Sequence, residues 1–193
     1  MNKSDELKKI HADVVALKDS PLYSYRIENK YLPVIGEGSI DAQIMFVGEA
    51  PGRNEAETGR PFCGRSGKVL DSLLASINLK REEVYITSII KDRPQKNRDP
   101  LPEEIALYAP FLDRQIEIIK PKAVVTLGRF AMEYVMRRYG LESELAPISA
   151  LHGQTFQTSN FKLIPLYHPA AAICNQKLKK VLEEDFQVLK SVV

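Results

Sequence analysis

Residues 43–52 read Gln43-Ile44-Met45-Phe46-Val47-Gly48-Glu49-Ala50-Pro51-Gly52. A short apolar run halted by glycine has the look of a strand buried on both faces, and the Gly- and Pro-rich segment after it cannot extend the strand. That loop runs on through Gly59-Arg60-Pro61-Phe62-Cys63-Gly64-Arg65-Ser66-Gly67. From Ser66 to Ile77 the residues Val69, Leu70, Leu73, Leu74 and Ile77 recur at helical spacing. Val84-Tyr85-Ile86-Thr87-Ser88-Ile89-Ile90 is then β-branched and aromatic enough for a second strand. Strand, loop, helix and strand in that order point to a parallel sheet with helical crossovers.

The alternation continues outward. Pro102 to Ile119 reads as a helix with proline at its start, Ala123-Val124-Val125-Thr126-Leu127 as a strand ended by Gly128, and Arg129 to Tyr139 as a helix. Phe161 to Leu166 gives a last strand, and Gln176 to Leu189 a closing helix with Leu178, Val181, Leu182, Phe186 and Leu189 on its inner face. Upstream, Leu7, Ile10, Val14 and Leu17 make Ser4 to Ser20 an amphipathic helix with Ser4 as N-cap, and Pro21 to Gly38 is irregular. Four short strands between helices predict a mainly parallel sheet covered on both faces, with its ligand site at the carboxyl ends of the strands.

A chain of 193 residues, 44% hydrophobic and 27% charged, is expected to form one domain spanning residues 1–193. The net charge of +2 neither requires nor excludes nucleic acid. Cys63 and Cys174 are the only cysteines, so a disulfide framework or a four-thiolate metal site built by this chain alone is ruled out. The charged first twenty residues and the absence of an apolar run near the roughly 20 residues a bilayer demands predict a cytoplasmic protein with no membrane contact. There is no G-x-G-x-x-G, no P-loop and no Ser-centred elbow, and His11, His152 and His168 lack metal-motif spacing.

If the strand ends form a site, the loops after them should hold unusual residues, and three do. The first carries five glycines with Glu49, Glu55 and Phe62. The second, Lys91-Asp92-Arg93-Pro94-Gln95-Lys96-Asn97-Arg98, sets four cations against one acid, which fits either a solvated charge run or contact with a phosphate backbone. The third is Tyr167-His168-Pro169-Ala170-Ala171-Ala172. Any one glycine or histidine here is more often structural than functional; their convergence favours a site.

With Val47-Gly48-Glu49-Ala50-Pro51-Gly52, Gly59-Arg60-Pro61-Phe62 with Gly64 to Leu70, Arg93-Pro94 with Asn97 to Pro100, and His168-Pro169-Ala170-Ala171 all in order, the chain resembles the family 4 uracil-DNA glycosylases from about Ser20 onward. The resemblance implies a three-layer α/β/α sandwich around a four-stranded parallel sheet, acting on uracil-containing DNA as a monomer. It implies hydrolysis of the N-glycosidic bond after the damaged nucleotide is swung out of the helix. In that scheme His168 donates to the pyrimidine O2, and Glu49, with Glu55 as the alternative, polarises water or stabilises the cationic sugar. Phe62 stacks on the base, Ala50, Gly52 and Ser88 contact it, and Gly52 leaves room beside C5. Pro51, Gly64, Arg65, Ser66, Arg93, Asn97, Arg98 and Pro169 face DNA, and Ala172 or Ile173 is the apolar wedge filling the vacated stack.

Two departures stand out. Ser88 replaces the family's usual Asn, whose amide accepts and donates at once where a hydroxyl has a single donor, and this predicts reduced or broadened base selectivity. The family's four cluster cysteines correspond to Leu17, Ser20, Asp92 and Tyr108, so no iron–sulfur cluster is expected, with Leu17 and Tyr108 filling volume and Asp92 meeting a cation. Two other readings compete: a non-catalytic damaged-DNA-binding protein of the same fold, and a nucleoside hydrolase, which the cationic loop and the wedge disfavour.

Overall fold

A computed structural model describes residues 2–192. Helix α1 (Lys3–Val15) opens at Asn2, whose side-chain oxygen accepts from the Asp5 amide at 2.9 Å, rather than at Ser4. It ends at Val15, short of Ser20, where the Arg26 guanidinium donates to the carbonyls of Val14 and Val15 at 3.0 and 2.6 Å. Arg26 belongs to α2 (Tyr23–Glu28), a helix inside the stretch expected to be irregular; six residues are too few to show a period.

The chain continues through β1 (Glu37–Gly38), β2 (Ile44–Gly48), α3 (Arg53–Thr58), α4 (Arg65–Ser76), β3 (Tyr85–Ser88) and α5 (Pro102–Ile119). It closes with β4 (Ala123–Leu127), α6 (Arg129–Arg138), α7 (Ile148–Leu151), β5 (Phe156–Gln157), β6 (Lys162–Leu166) and α8 (Gln176–Phe186), which runs into a 3-10 turn to Ser191. The strand order is β1-β3-β2-β4-β6-β5. The inner four strands run parallel, with Phe46 opposite Ile86 on one side and Val125 on the other. The outer β1 and β5 run antiparallel to their neighbours, so the sheet is mixed and six-stranded rather than four-stranded. Each edge strand has two residues, below the length at which alternation is readable.

Side chains along the strands alternate between two apolar clusters, as a pleated sheet requires. Met45, Val47, Val124 and Leu163 pack with Ile10 and Val14 of α1, Leu112 of α5 and Val135 of α6. Ile44, Phe46, Val125 and Ile164 pack with Leu70 and Leu73 of α4 and with Leu182 and Phe186 of α8. The strand that follows β2 in sequence lies on one side of it and β4 lies on the other, so the order reverses between β2 and β4. A crevice at the carboxyl ends of strands opens at such a reversal.

Candidate active site

The crevice is a cavity of about 320 Å³. Of the residues singled out in the sequence it is lined by Glu49, Ala50, Pro51, Gly52, Glu55, Phe62, Ser66, Ser88, Asn97, Arg98 and His168. Pro61, Pro94 and Ala170, which lie in the marked loops without having been given a role, complete the wall together with Val34, which lies outside those loops. Gly64, Arg65, Arg93, Pro169, Ala172 and Ile173 lie outside it.

Phe62 is 6% exposed and its ring stacks on the His168 imidazole, 5.6 Å between centroids and 29° between planes. Its backbone is left-handed, with φ at 47°, a conformation that costs a bulky residue about 1–3 kcal/mol and persists only where surroundings impose it. Gly67 is part of the constraint, since a Cβ there would stand 1.8 Å from the Phe62 carbonyl oxygen. A Cβ on Gly48 would meet the Phe62 ring at 2.7 Å and Ser88 Oγ at 3.2 Å, so the aromatic platform and the Ser88 hydroxyl both close on one bare strand end.

His168 Nδ1 accepts from the Ala170 amide at 3.1 Å. That bond fixes the tautomer: the neutral ring carries its proton on Nε2. Burial lowers the imidazole pKa to about 4, so the ring is neutral at physiological pH. Glu49 shows the opposite displacement. Burial, reinforced by the charge of Asp99 and opposed by Arg129, pushes its carboxyl up to about 7. A carboxylate poised near neutrality in the same cavity as a neutral N–H donor suits general-base chemistry with stabilisation of a developing anion.

Glu55 is 8% exposed and its Oε1 accepts from the Cys63 and Gly64 amides, both at 2.9 Å. Its carboxylate is committed to the loop that carries Phe62, unlike that of Glu49. The space at Gly52 faces this same group, with a Cβ there falling 2.7 Å from Glu55 Oε2.

The second loop is less cationic than its sequence suggests. Lys91 is fully buried, donating to Thr87 Oγ1, the Ser88 carbonyl and Gln115 Oε1 at 2.8, 2.5 and 2.6 Å. Arg98 is paired bidentately with the buried Glu104 at 2.9 and 2.6 Å. Arg93 lies over the Tyr31 ring at 5.4 Å and donates to Asn97 Oδ1 at 2.8 Å; neither it nor Lys96 has a carboxylate partner among the described residues. Ala172, at 3% exposure, belongs to the core cluster under α4 and α8, and Pro169 is also buried, so of the two wedge candidates only Ile173 reaches the surface.

The model of the uracil DNA glycosylase superfamily matches residues 35–190. This chain belongs to that superfamily. A type-4 uracil-DNA glycosylase of Sulfurisphaera tokodaii is 42% identical over 193 residues, covering 97% of this chain and 85% of the relative. The type-4 uracil-DNA glycosylase of Archaeoglobus fulgidus is 40% identical, with 95% and 91% covered, and that of Thermotoga maritima 39%, with 86% and 85%.

Within this uracil-DNA glycosylase fold, three of the positions set against the family's cluster cysteines come together. Ser20 Oγ and Tyr108 OH are 2.7 Å apart, Tyr108 donates to Asp92 Oδ2 at 2.6 Å, and Arg26 Nη1 reaches both Asp92 oxygens at 3.1 and 2.9 Å. All four side chains are buried. Leu17 packs at the edge of the adjoining apolar cluster.

Proposed function

We propose that the cavity receives a uracil swung out of DNA and that the protein hydrolyses its N-glycosidic bond, a step of base-excision repair. The observation that carries this reading is the pairing, in one cavity, of a neutral His168 whose only free ring proton is on Nε2 with a Glu49 carboxyl poised near 7. The base lies on the Phe62 ring with its polar edge toward Ser88. As the C1′–N1 bond breaks, its electron pair leaves on the uracil, and the Nε2–H of His168 hydrogen-bonds to O2 where the charge accumulates. Water bonds to C1′ of the oxocarbenium-like sugar, one of its protons passing to Glu49, and the uracil anion takes a proton from solvent on release. A donor that is already neutral does not have to give up a proton to do this, and the low pKa of His168 keeps it so.

The same reading extends to the buried network. The residues present do not fit an iron–sulfur cluster: no thiolate stands at the four positions, and Ser20, Asp92, Tyr108 and Arg26 satisfy one another's hydrogen bonds. We assign that volume to side-chain packing and an ion pair, and stoichiometric iron after anaerobic purification would overturn the assignment.

The test of function is a labelled oligonucleotide with a single uracil, single- and double-stranded, scored for alkali-sensitive abasic product. His168→Ala and Glu49→Gln are each expected to slow cleavage by about 10²–10³-fold. Tight binding without product would instead mark a damaged-DNA-binding protein, and turnover of free deoxyuridine alone a nucleoside hydrolase.

A further inference from the structure

The turn Pro61-Phe62-Cys63-Gly64 is held from two sides by opposite charges. Its amides, from Cys63 and Gly64, converge on the Glu55 carboxylate at 2.9 Å each. Its carbonyls, from Pro61 and Phe62, converge on the Arg81 guanidinium, Nη2 meeting Pro61 and Nη1 meeting Phe62 at 3.1 Å. Peptide dipoles are thus gripped at their positive ends by an anion and at their negative ends by a cation. Glu55 lines the cavity; Arg81 does not.

Arg81 is itself fixed. It sits in the 3-10 turn Arg81–Glu83 that leads into β3, and its side chain is 18% exposed. Nη1 also donates to Asp71 Oδ1 at 2.9 Å, and Nε lies 4.0 Å from Glu37 Oε1. Glu37 in turn holds Arg60, the residue before the turn, at 3.0 and 2.9 Å. Phe62 is the only aromatic side chain with a left-handed backbone among the described residues. Nothing in its own chemistry favours that conformation, so the groups that hold its carbonyl decide where the ring points.

We propose that Arg81 is a positioning residue for base recognition, acting through the Pro61 and Phe62 carbonyls to keep the Phe62 ring in the cavity. The inference rests on the assignment of Phe62 as the surface on which the base stacks. Removing Arg81 takes away the carbonyl half of the clamp, so the turn relaxes toward an ordinary backbone conformation, carrying the ring off the His168 imidazole and loosening the Cys63 and Gly64 amides from Glu55.

The experiment compares the full-length wild type with Arg81→Gln, Phe62→Ala and the double variant, below the unfolding range of each. Single-turnover cleavage of a uracil oligonucleotide is expected to lose about tenfold or more in Arg81→Gln, mostly as weakened saturation. In the Phe62→Ala background the same substitution should change the rate by less than about twofold, because the group it acts through is gone. An undiminished loss in that background overturns the proposal. Hydrogen exchange, measured without substrate, keeps the two readings apart. Faster exchange at the Cys63 and Gly64 amides in Arg81→Gln, with β3 unchanged, supports the clamp even if no uracil is released; unchanged exchange overturns it even if the wild type is active. If Arg81→Gln does not fold, Arg81→Lys, which keeps the charge and can reach one carbonyl, is read by the same two measurements with intermediate effects expected.

Discussion

The Nζ of Lys91 lies 2.5 Å from the carbonyl oxygen of Ser88, so a residue that lines the cavity is tied through its backbone to a fully buried lysine. Thr87 Oγ1 and Gln115 Oε1 take its other two donors, and none of its hydrogen-bond partners is a carboxylate. Three acceptors around one nitrogen match an ammonium, while burial pulls the pKa well below the usual lysine range. The amine is the hub of a polar chamber in which Gln115 also donates to the Ile35 carbonyl and to Tyr85 OH at 2.8 and 3.1 Å.

Lys91→Met keeps most of the volume and removes every donor, leaving three buried acceptors short of a partner. The expected loss is about 1–3 kcal/mol in stability, read from urea unfolding. A midpoint unchanged from wild type would show that the chamber holds itself without the lysine.

Cleavage should rise with pH and level off above the Glu49 pKa. Glu49 works as the carboxylate; its pKa is raised to about 7, so protonation removes the base progressively as pH falls through that value. His168 works as the neutral ring, and its pKa of about 4 adds no second limb between pH 5 and 8. The profile of kcat/KM is therefore a single ascending limb centred near 7, and Glu49→Gln should both flatten it and lower its plateau by about 10²–10³-fold. A limb retained in Glu49→Gln would move the titration to another group.

The place of Glu49, Phe62 and His168 in one cavity was legible because each lies in a segment leading away from a strand end, where the topology predicts a site, and each breaks the local pattern with an unusual residue. The position of Glu55 was legible too, but its commitment to the Cys63 and Gly64 amides was not, because backbone hydrogen bonding leaves no mark on residue type. Lys91 misled for a different reason. Its charge groups it with Arg93 and Lys96, yet the apolar run continues through Ile89 and Ile90 directly into it, and the first proline or glycine after it is Pro94. Helix α1 ended early because of Arg26, a cation eleven and twelve residues away from the carbonyls it caps. Contacts of that kind are set by the tertiary fold and are invisible to periodicity.

Ser88 is 3% exposed and lines the cavity with one rotatable hydroxyl. A carboxamide at this position would present a fixed acceptor and a fixed donor, matching one base edge and opposing its reverse. Ser88→Asn is expected to sharpen preference for uracil over cytosine and hypoxanthine by about 1–3 kcal/mol, measured as the ratio of single-turnover rates on matched oligonucleotides. Equal ratios in the two proteins would remove Ser88 as a determinant of selectivity.

The Arg26–Asp92 pair is nearly sealed, with the two side chains 4% and 0% exposed, and it joins the end of α1 to the loop after β3. Burial raises the Asp92 carboxyl, against the pull of the Tyr108 hydroxyl and the Arg26 charge. Cutting one partner leaves the other charge without compensation, so Arg26→Met or Asp92→Leu alone should destabilise by about 3–5 kcal/mol. The double variant buries no charge and should recover a large part of that loss, because an apolar pair of similar volume is often as stable as a buried ion pair. Urea unfolding of the four proteins gives the coupling directly. Losses that add would mean that Arg26 acts through the Val14 and Val15 carbonyls alone and that Asp92 answers to Tyr108, in which case the ion pair does not replace a cross-link between these two segments.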